Sequence, residues 1–326
     1  MSNRRDFLTA TALSTLALGV ARAQPNTVSD LHRSTLEQGT LKVMIGDNTS
    51  TPEHRPGYNG VWELFHSSLP RSIFVPGIAG LNLEHAITGV ALTDDDHFFE
   101  PRRAAMQLKE LGPGQVELYQ PPTPYTYVES WTVFQCSGDC YLDMSFRCRI
   151  HRGPFPNGYL ALFWASYINA PEDKSMYFLG TLDGKTEQWL QLCTQFHNDQ
   201  STVRHRDDTF EMKFADDGRP ALFKSISPVR YTKPMFYGHI GELIWGVMFD
   251  KPNGIRFTHS PSGGGFNQAA LSSNPAWDFQ YVIENPDTHR EYGFSARTFL
   301  VPQCSRDELL NHLAKWQQQS TNNTHK

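Results

Sequence analysis

The chain of 326 residues has no run of basic residues, no later stretch apolar enough to cross a bilayer, and no Pro/Gly/Ser-rich linker that would divide it. Each absence excludes something. Without clustered lysine and arginine there is no patch to neutralise phosphates, and with a net charge of −5 the chain is a poor partner for nucleic acid. A spanning helix needs about 20 consecutive apolar residues, so no membrane insertion is expected once the N-terminal segment is removed. Gly-x-Ser-x-Gly, His-Glu-x-x-His and the dinucleotide-binding glycine fingerprint are all missing, which leaves serine hydrolase, zinc protease and nicotinamide oxidoreductase readings without support. Cysteine is scarce: Cys136, Cys140, Cys148, Cys193 and Cys304 are odd in number, so at least one is free or paired between chains. The close pair Cys136/Cys140 flanks a Ser-Gly-Asp turn and reads as two ordinary thiols. Two cysteines alone do not make a zinc site.

What is present begins with Asn3-Arg4-Arg5-Asp6-Phe7-Leu8, a mildly apolar stretch to Val20, and Ala21-Arg22-Ala23 before Gln24. A charged start, a short apolar middle and a small-x-small end define a secretory signal, and paired arginines ahead of Phe-Leu resemble the twin-arginine type. Residues 1–23 are therefore expected to be a signal peptide of a bacterial protein exported to the periplasm or secreted. Removing them takes away three arginines and one acid, so the remaining chain is more acidic still. Folded export permits cytoplasmic loading of a metal and keeps the cysteines reduced during folding.

After an N-terminal extension, 24–57, the sequence reads as short strands between Gly, Pro, Asn and Asp clusters. In 140–150, Leu142, Met144, Phe146, Cys148 and Ile150 alternate with polar residues, the period of a strand with one buried face. The segment 158–168 is apolar throughout and reads as a strand buried on both sides. Further strands are expected at 41–45, 61–65, 115–119, 128–134, 176–182, 210–214, 243–249, 255–259, 277–283 and 292–300. The fold class is all-β, a large antiparallel β-sandwich over 58–304. One helix closes it over 305–319: Ser305 and Glu308 form a capping box, and Leu309, Leu310, Leu313 and Trp316 share a face. Residues 320–326 contain no apolar side chain and are expected to be disordered.

Four polar and aromatic clusters carry candidate chemistry. Glu84 and His85 are adjacent on a strand-like segment, where alternation would leave only one of them facing a site. In His197-Asn198…Arg204-His205, histidine can ligate a metal and arginine offers a fork for a carboxylate. The run from Arg230 to His239 places Tyr237 and His239 on one face if extended, a pair suited to proton abstraction. Ser260-Pro-Ser-Gly-Gly-Gly265 reads as a flexible lid, and is followed by Trp277, a candidate platform for a sugar ring, and Asp278, a partner for its hydroxyls. A metal would need His197 and His205 joined by a third ligand such as His85 or His239.

Several segments together resemble the galactose-mutarotase-like supersandwich: Val75-Pro76-Gly77 with Gly80-Leu81-Asn82, then Phe99-Glu100-Pro101-Arg102-Arg103, the strand start Glu129-Ser130-Trp131, and the paired long strands to Ile168. The chain also looks like uncharacterised exported bacterial proteins carrying the runs from Tyr167 to Lys174 and from Asn274 to Asp278. The resemblance implies a concave sheet face that acts on a sugar, as an epimerase, glycoside hydrolase or polysaccharide lyase, through His with Glu or Asp, or His with Tyr and Arg. The chain departs from the epimerase pattern, because the two histidines and the C-terminal glutamate of that chemistry do not map onto particular positions. The expected activity is thus of lyase or hydrolase type on a carbohydrate. Glu84, His85, His197, Arg204, His205, Tyr237, His239 and Asp278 are the candidate catalytic groups, and Trp277, Asn198 and Arg230 the candidate substrate contacts. The rival expectation is a carbohydrate-binding or structural protein that performs no chemistry.

Overall fold

A computed structural model describes residues 31–216 and 221–323; the expected signal peptide and the end of the expected tail lie outside these. The strands are β1 (Arg33–Gln38), β2 (Leu41–Gly46), β3 (Gly60–His66) and β4 (Asn82–Ile87), followed by two short helices, α1 (Asp95–Phe98) and α2 (Glu100–Arg103). Next come β5 (Gln107–Gly112), β6 (Gln115–Gln120), β7 (Val128–Ser137), β8 (Tyr141–Ile150), β9 (Tyr159–Ala165), β10 (Met176–Thr181), β11 (Gln188–Leu192) and β12 (Thr202–His205). The rest are β13 (Ile226–Tyr231), β14 (Met235–Ile240), β15 (Leu243–Phe249), β16 (Ile255–Ser260), β17 (Phe266–Asn267), β18 (Ser272–Ser273), β19 (Ala276–Glu284) and β20 (Glu291–Pro302), with α3 (Arg306–Asn323) last.

Fifteen of the strands join one sheet, ordered β4-β9-β19-β16-β12-β13-β10-β14-β15-β20-β8-β7-β6-β5, with β11 paired to β10. All its pairs are antiparallel except β12 with β13. The alternating residues of β8 are buried as their period requires, and β9 is buried along its whole length. The sheet folds over on itself, because strands far apart in the ladder touch through their rings. Phe146 of β8 meets Trp164 of β9 at 4.8 Å, Phe249 of β15 meets Phe279 of β19 at 4.9 Å, and Trp245 of β15 stacks on Trp277 of β19 at 6.0 Å. Those contacts are the inside of a sandwich. The first two strands fall in 24–57 and make a three-stranded sheet with β3.

One expected strand is absent. Residues 210–214 form no ladder; the Phe210 carbonyl instead accepts from Arg204 and Arg256, while Phe210, Met212 and Phe214 pack half-buried on the outer aromatic cluster. Their alternation reports a face and not a pairing partner. The closing helix runs past 319, to Asn323, with the Ser305 hydroxyl accepting from the Glu308 amide at 3.2 Å. Leu309, Leu313 and Trp316 bury against Ile244, Met248 and Val301. All five cysteines are free.

Candidate active site

The geometry of the site begins with an irregularity in β4. Leu83 pairs with Trp164 and His85 with Phe163, so Glu84 is an extra residue with no partner of its own on β9. Such a β-bulge breaks the alternation of faces. Glu84 and His85 consequently turn toward the same cavity, against the expectation that only one would. Their contact is direct, His85 Nε2 lying 3.2 Å from Glu84 Oε1.

Side chains distant in sequence complete the setting of Glu84. Asn82 Nδ2 donates to its Oε2 at 3.1 Å, the Tyr167 hydroxyl donates to the same oxygen, and Arg102 Nη1 stands 3.9 Å from Oε1. Arg102 is fixed from both sides. Its guanidinium lies over the Tyr58 ring at 3.7 Å and the Phe99 ring at 4.8 Å, while Glu100, fully buried at the start of α2, anchors that helix by accepting from the Tyr125 and Thr126 amides and the Thr126 hydroxyl. The His85 ring places Nδ1 2.6 Å from the Phe98 carbonyl and packs among Phe98, Phe99, Phe163 and Phe223. Each ring nitrogen thus has an oxygen within hydrogen-bonding reach.

Asp278, on β19, enters the same cavity. Its Oδ1 accepts from the Ser166 amide at 2.8 Å, its only hydrogen bond among the described residues. The cavity, about 220 Å³, is lined by both carboxyl groups, the phenylalanines above, Tyr167, His197, Asn198, Ser260 and Gly263. His197 holds its place through Ser260 Oγ at 3.0 Å from Nδ1 and Ser262 Oγ at 3.3 Å from Nε2. The glycine-rich stretch is a packed wall. A Cβ on Gly263 would come within 2.9 Å of the Ala276 Cβ, and one on Gly264 within 2.8 Å of the Asn274 Cβ, so the expected lid is fastened to its neighbours.

The two carboxyl groups titrate in opposite directions. Burial pushes Glu84 up, but the His85 hydrogen bond and charge, Arg102 and the Tyr167 hydroxyl outweigh it and hold Glu84 below its ordinary value. Burial pushes Asp278 well above the usual carboxylate range, the charge of Glu84 adds to this, and the Ser166 amide opposes it. Tyr167 is likewise pushed well above its ordinary value, by burial first and then by Glu84, and stays a donor.

Of the residues singled out in the sequence, Glu84, His85, His197, Asn198 and Asp278 meet in this cavity. The others lie elsewhere. Trp277 is fully buried, stacked on Trp245 with its Nε1 donating to the Lys174 carbonyl, and offers no face to a sugar ring. Tyr237 and His239 do share a face of β14, but they pack beside Tyr177 and Trp189, where the Tyr237 hydroxyl accepts from Arg306 of α3. Arg204, His205 and Arg230 stand on β12 and β13, with His205 against the Tyr231 ring. His197 and His205 are therefore not joined by His85 or His239, and among the described residues no group of three His, Cys, Asp or Glu is placed to hold a metal. Arg102, Tyr167 and Asn82 were missed as site residues, although all three lie in the segments that carry the supersandwich resemblance.

The sandwich shares its fold with a solved structure of very low sequence identity. A putative aldose 1-epimerase from Escherichia coli K12 superposes with a TM-score of 0.52 over 83% of this chain and 99% of that one, at 8% identity. A galactose mutarotase-like protein from Lactobacillus casei ATCC 334 covers 82% of this chain and 99% of its own at 8% identity, with a TM-score of 0.45. At such identities the first likeness shows the fold alone. No family model matches the chain, and no curated protein matches it.

Proposed function

We propose that this protein is a periplasmic carbohydrate-active enzyme that performs acid/base chemistry on a sugar held in the Glu84/Asp278 cavity, of glycoside hydrolase type. One observation carries the reading: two buried carboxyl groups face one cavity, and their surroundings push their titrations apart. A carboxyl that keeps its proton can protonate a leaving oxygen, while an ionised neighbour stabilises positive charge at the sugar carbon or activates water. Asp278 takes the first role and Glu84 the second. His85, Asn82, Arg102 and Tyr167 are positioning residues that hold Glu84 ionised. The phenylalanine walls suit the apolar face of a sugar ring, and His197, Asn198 and Ser260 suit its hydroxyls.

A lyase reading built on Arg204 and Tyr237 has less support, because Tyr237 is bound to Arg306 and is not a wall of the cavity. A binding protein that grips glycan through Trp277 has less as well, since that ring is buried. The Arg4-Arg5 segment motivates the periplasmic location, and N-terminal sequencing of periplasmic protein starting at Gln24 supports it, whereas a retained Arg4-Arg5 segment counts against it.

Protein purified from the periplasm should be incubated with neutral glycans, uronate-containing glycans and free aldose anomers, following reducing ends, ultraviolet absorbance and optical rotation. New reducing ends are expected, and E84Q and D278N should each lower their rate by about 10²-fold or more while circular dichroism shows the fold retained. An ultraviolet-absorbing product would assign the lyase type instead. Absence of turnover on every class, or full activity in D278N, would remove the reading.

A further inference from the structure

Among the described residues, three aromatic rings stand out in solvent: Phe196, 69% exposed, Phe266, 59%, and Tyr125, 43%. All three belong to segments that wall the Glu84/Asp278 cavity. Phe196 directly precedes His197, and Phe266 follows the Gly263 wall by three residues, on the two loops that His197 joins through Ser260 and Ser262. Tyr125 gives its amide to Glu100 and stacks on His97 at 4.6 Å, beside Phe98 and Phe99 of the opposite wall. The cavity lies between the two groups. Phe98 packs on His85 of β4, whereas Ser260 ends β16, three strands away in the ladder, a separation of about 14 Å.

Apolar side chains scattered singly over a surface need no explanation, but these rings gather at one opening and are held there. The strand of Phe266, β17, pairs with β18, whose Ser273 hydroxyl donates to the Pro261 carbonyl and accepts from Lys174 Nζ at 2.9 Å, and Asn267 donates to Asn169. Beside Phe196, the Ser201 hydroxyl donates to the His197 carbonyl at 2.9 Å and the Ser225 hydroxyl to the Asn198 carbonyl at 2.7 Å. Polar pins thus fix loops whose rings bury little in the core, and such loops present side chains to a ligand. At about 220 Å³ the cavity holds one sugar ring and little more, so the exposed rings lie where neighbouring units of a chain would emerge. The charge near Tyr125 narrows the kind of chain. Its hydroxyl is pushed above the ordinary value, by desolvation first and then by the charges of Asp94, Asp96 and Glu100, and a sugar carrying a carboxylate would meet those same charges.

We propose that Phe196, Phe266 and Tyr125 are stacking platforms for the sugar units on either side of the one in the cavity, so that the substrate is a neutral glycan chain bound at an internal unit and not a free sugar. The inference rests on the cavity being the sugar site. A pyranose ring has a face of C–H groups that buries well against an aromatic ring, and this contact needs no charge on the ligand.

Calorimetric titration of the whole D278N protein, in which chains are not cut, tests it with malto-, cello- and laminari-oligosaccharides from disaccharide to hexasaccharide. In at least one series the hexasaccharide is expected to bind about 10-fold or more tightly than the disaccharide. Adding F196A or F266A, each of which removes an exposed ring and leaves the core intact, should cut that gain several-fold, whereas F196W should keep it. If no series gains affinity with length, or if the gain survives F196A and F266A together, the proposal is overturned. Tighter binding of hexagalacturonate than of every neutral hexasaccharide would overturn the neutral class. A dimer in sedimentation that F196A or F266A converts to monomer would assign the rings to an interface between copies of the chain instead. Turnover by the wild type separates this inference from the catalytic reading. If glycans are cleaved in dependence on both carboxyls but length brings no gain, the platforms fall and the catalytic reading stands. If the length gain follows the ring variants as stated but no glycan is turned over, the catalytic reading falls and the platforms remain.

Discussion

Asp278 gives one oxygen to the Ser166 amide and sits where charge is disfavoured. A carboxyl whose folded pKa is raised contributes stability that is present below its unfolded value and lost as pH rises through the folded one. D278N keeps an acceptor for the Ser166 amide and cannot ionise. It should therefore melt above the wild type, with a gap that widens as pH rises; a gap that is flat with pH would contradict the burial of an ionisable group there. Glu84 has the opposite sign, its stability present above its unfolded value and lost as pH falls through the lowered folded one. Removing one donor in Y167F should weaken the hold on its ionised form and move the acidic limb of the pH–rate profile upward, while a limb that stays in place would exclude Tyr167 from positioning. Glu84 and His85 could be found in the sequence because an acid beside an imidazole is visible locally, and Asp278 because it follows an aromatic residue, Trp277. Tyr167 could not, since it meets Glu84 across 83 positions.

Among the elements, the strands with an unbroken period were the legible ones. The alternation of β8 and the apolar run of β9 each follow from what their faces bury. The short strand β12 escaped notice because its buried face carries Thr202 and Arg204, and a polar interior face mimics a loop. The bulge in β4 was illegible for another reason: one extra residue changes no composition, yet it decides which face Glu84 takes. Helix α3 was readable from cap and spacing, and its contribution can be measured. W316A removes a ring buried against β15 and β20 and should cost about 3–5 kcal/mol, whereas S305A, losing only the cap, should cost about 1 kcal/mol. Denaturant unfolding gives both values, and near-neutral W316A would mean that the helix is not docked as described.

For the molecule as a whole, acid stability follows from two buried imidazoles. His54, stacked on Trp62 at 3.8 Å, and His259, between the Thr194 hydroxyl and the Lys174 carbonyl, are both lowered to about 4, by burial first. Each binds a proton more readily unfolded than folded, so stability is lost as pH falls from 6.5 to about 4. Thermal melts across that window should show the loss, with a shallower slope in H259Q; an unchanged slope would mean that His259 is not held neutral. The sandwich was legible from strand spacing and the supersandwich resemblance, but a shared fold hosts many activities, and the function proposed here depends on the cavity. Its central claim is that one carboxyl there keeps its proton while its neighbour is ionised. Infrared titration of the carboxyl stretch, with D278N and E84Q as assignments, measures this directly. The Asp278 acid band should persist to a pH well above the ordinary carboxylate range while the Glu84 band disappears below it; two bands lost together, or in the reverse order, would contradict the division of roles between them.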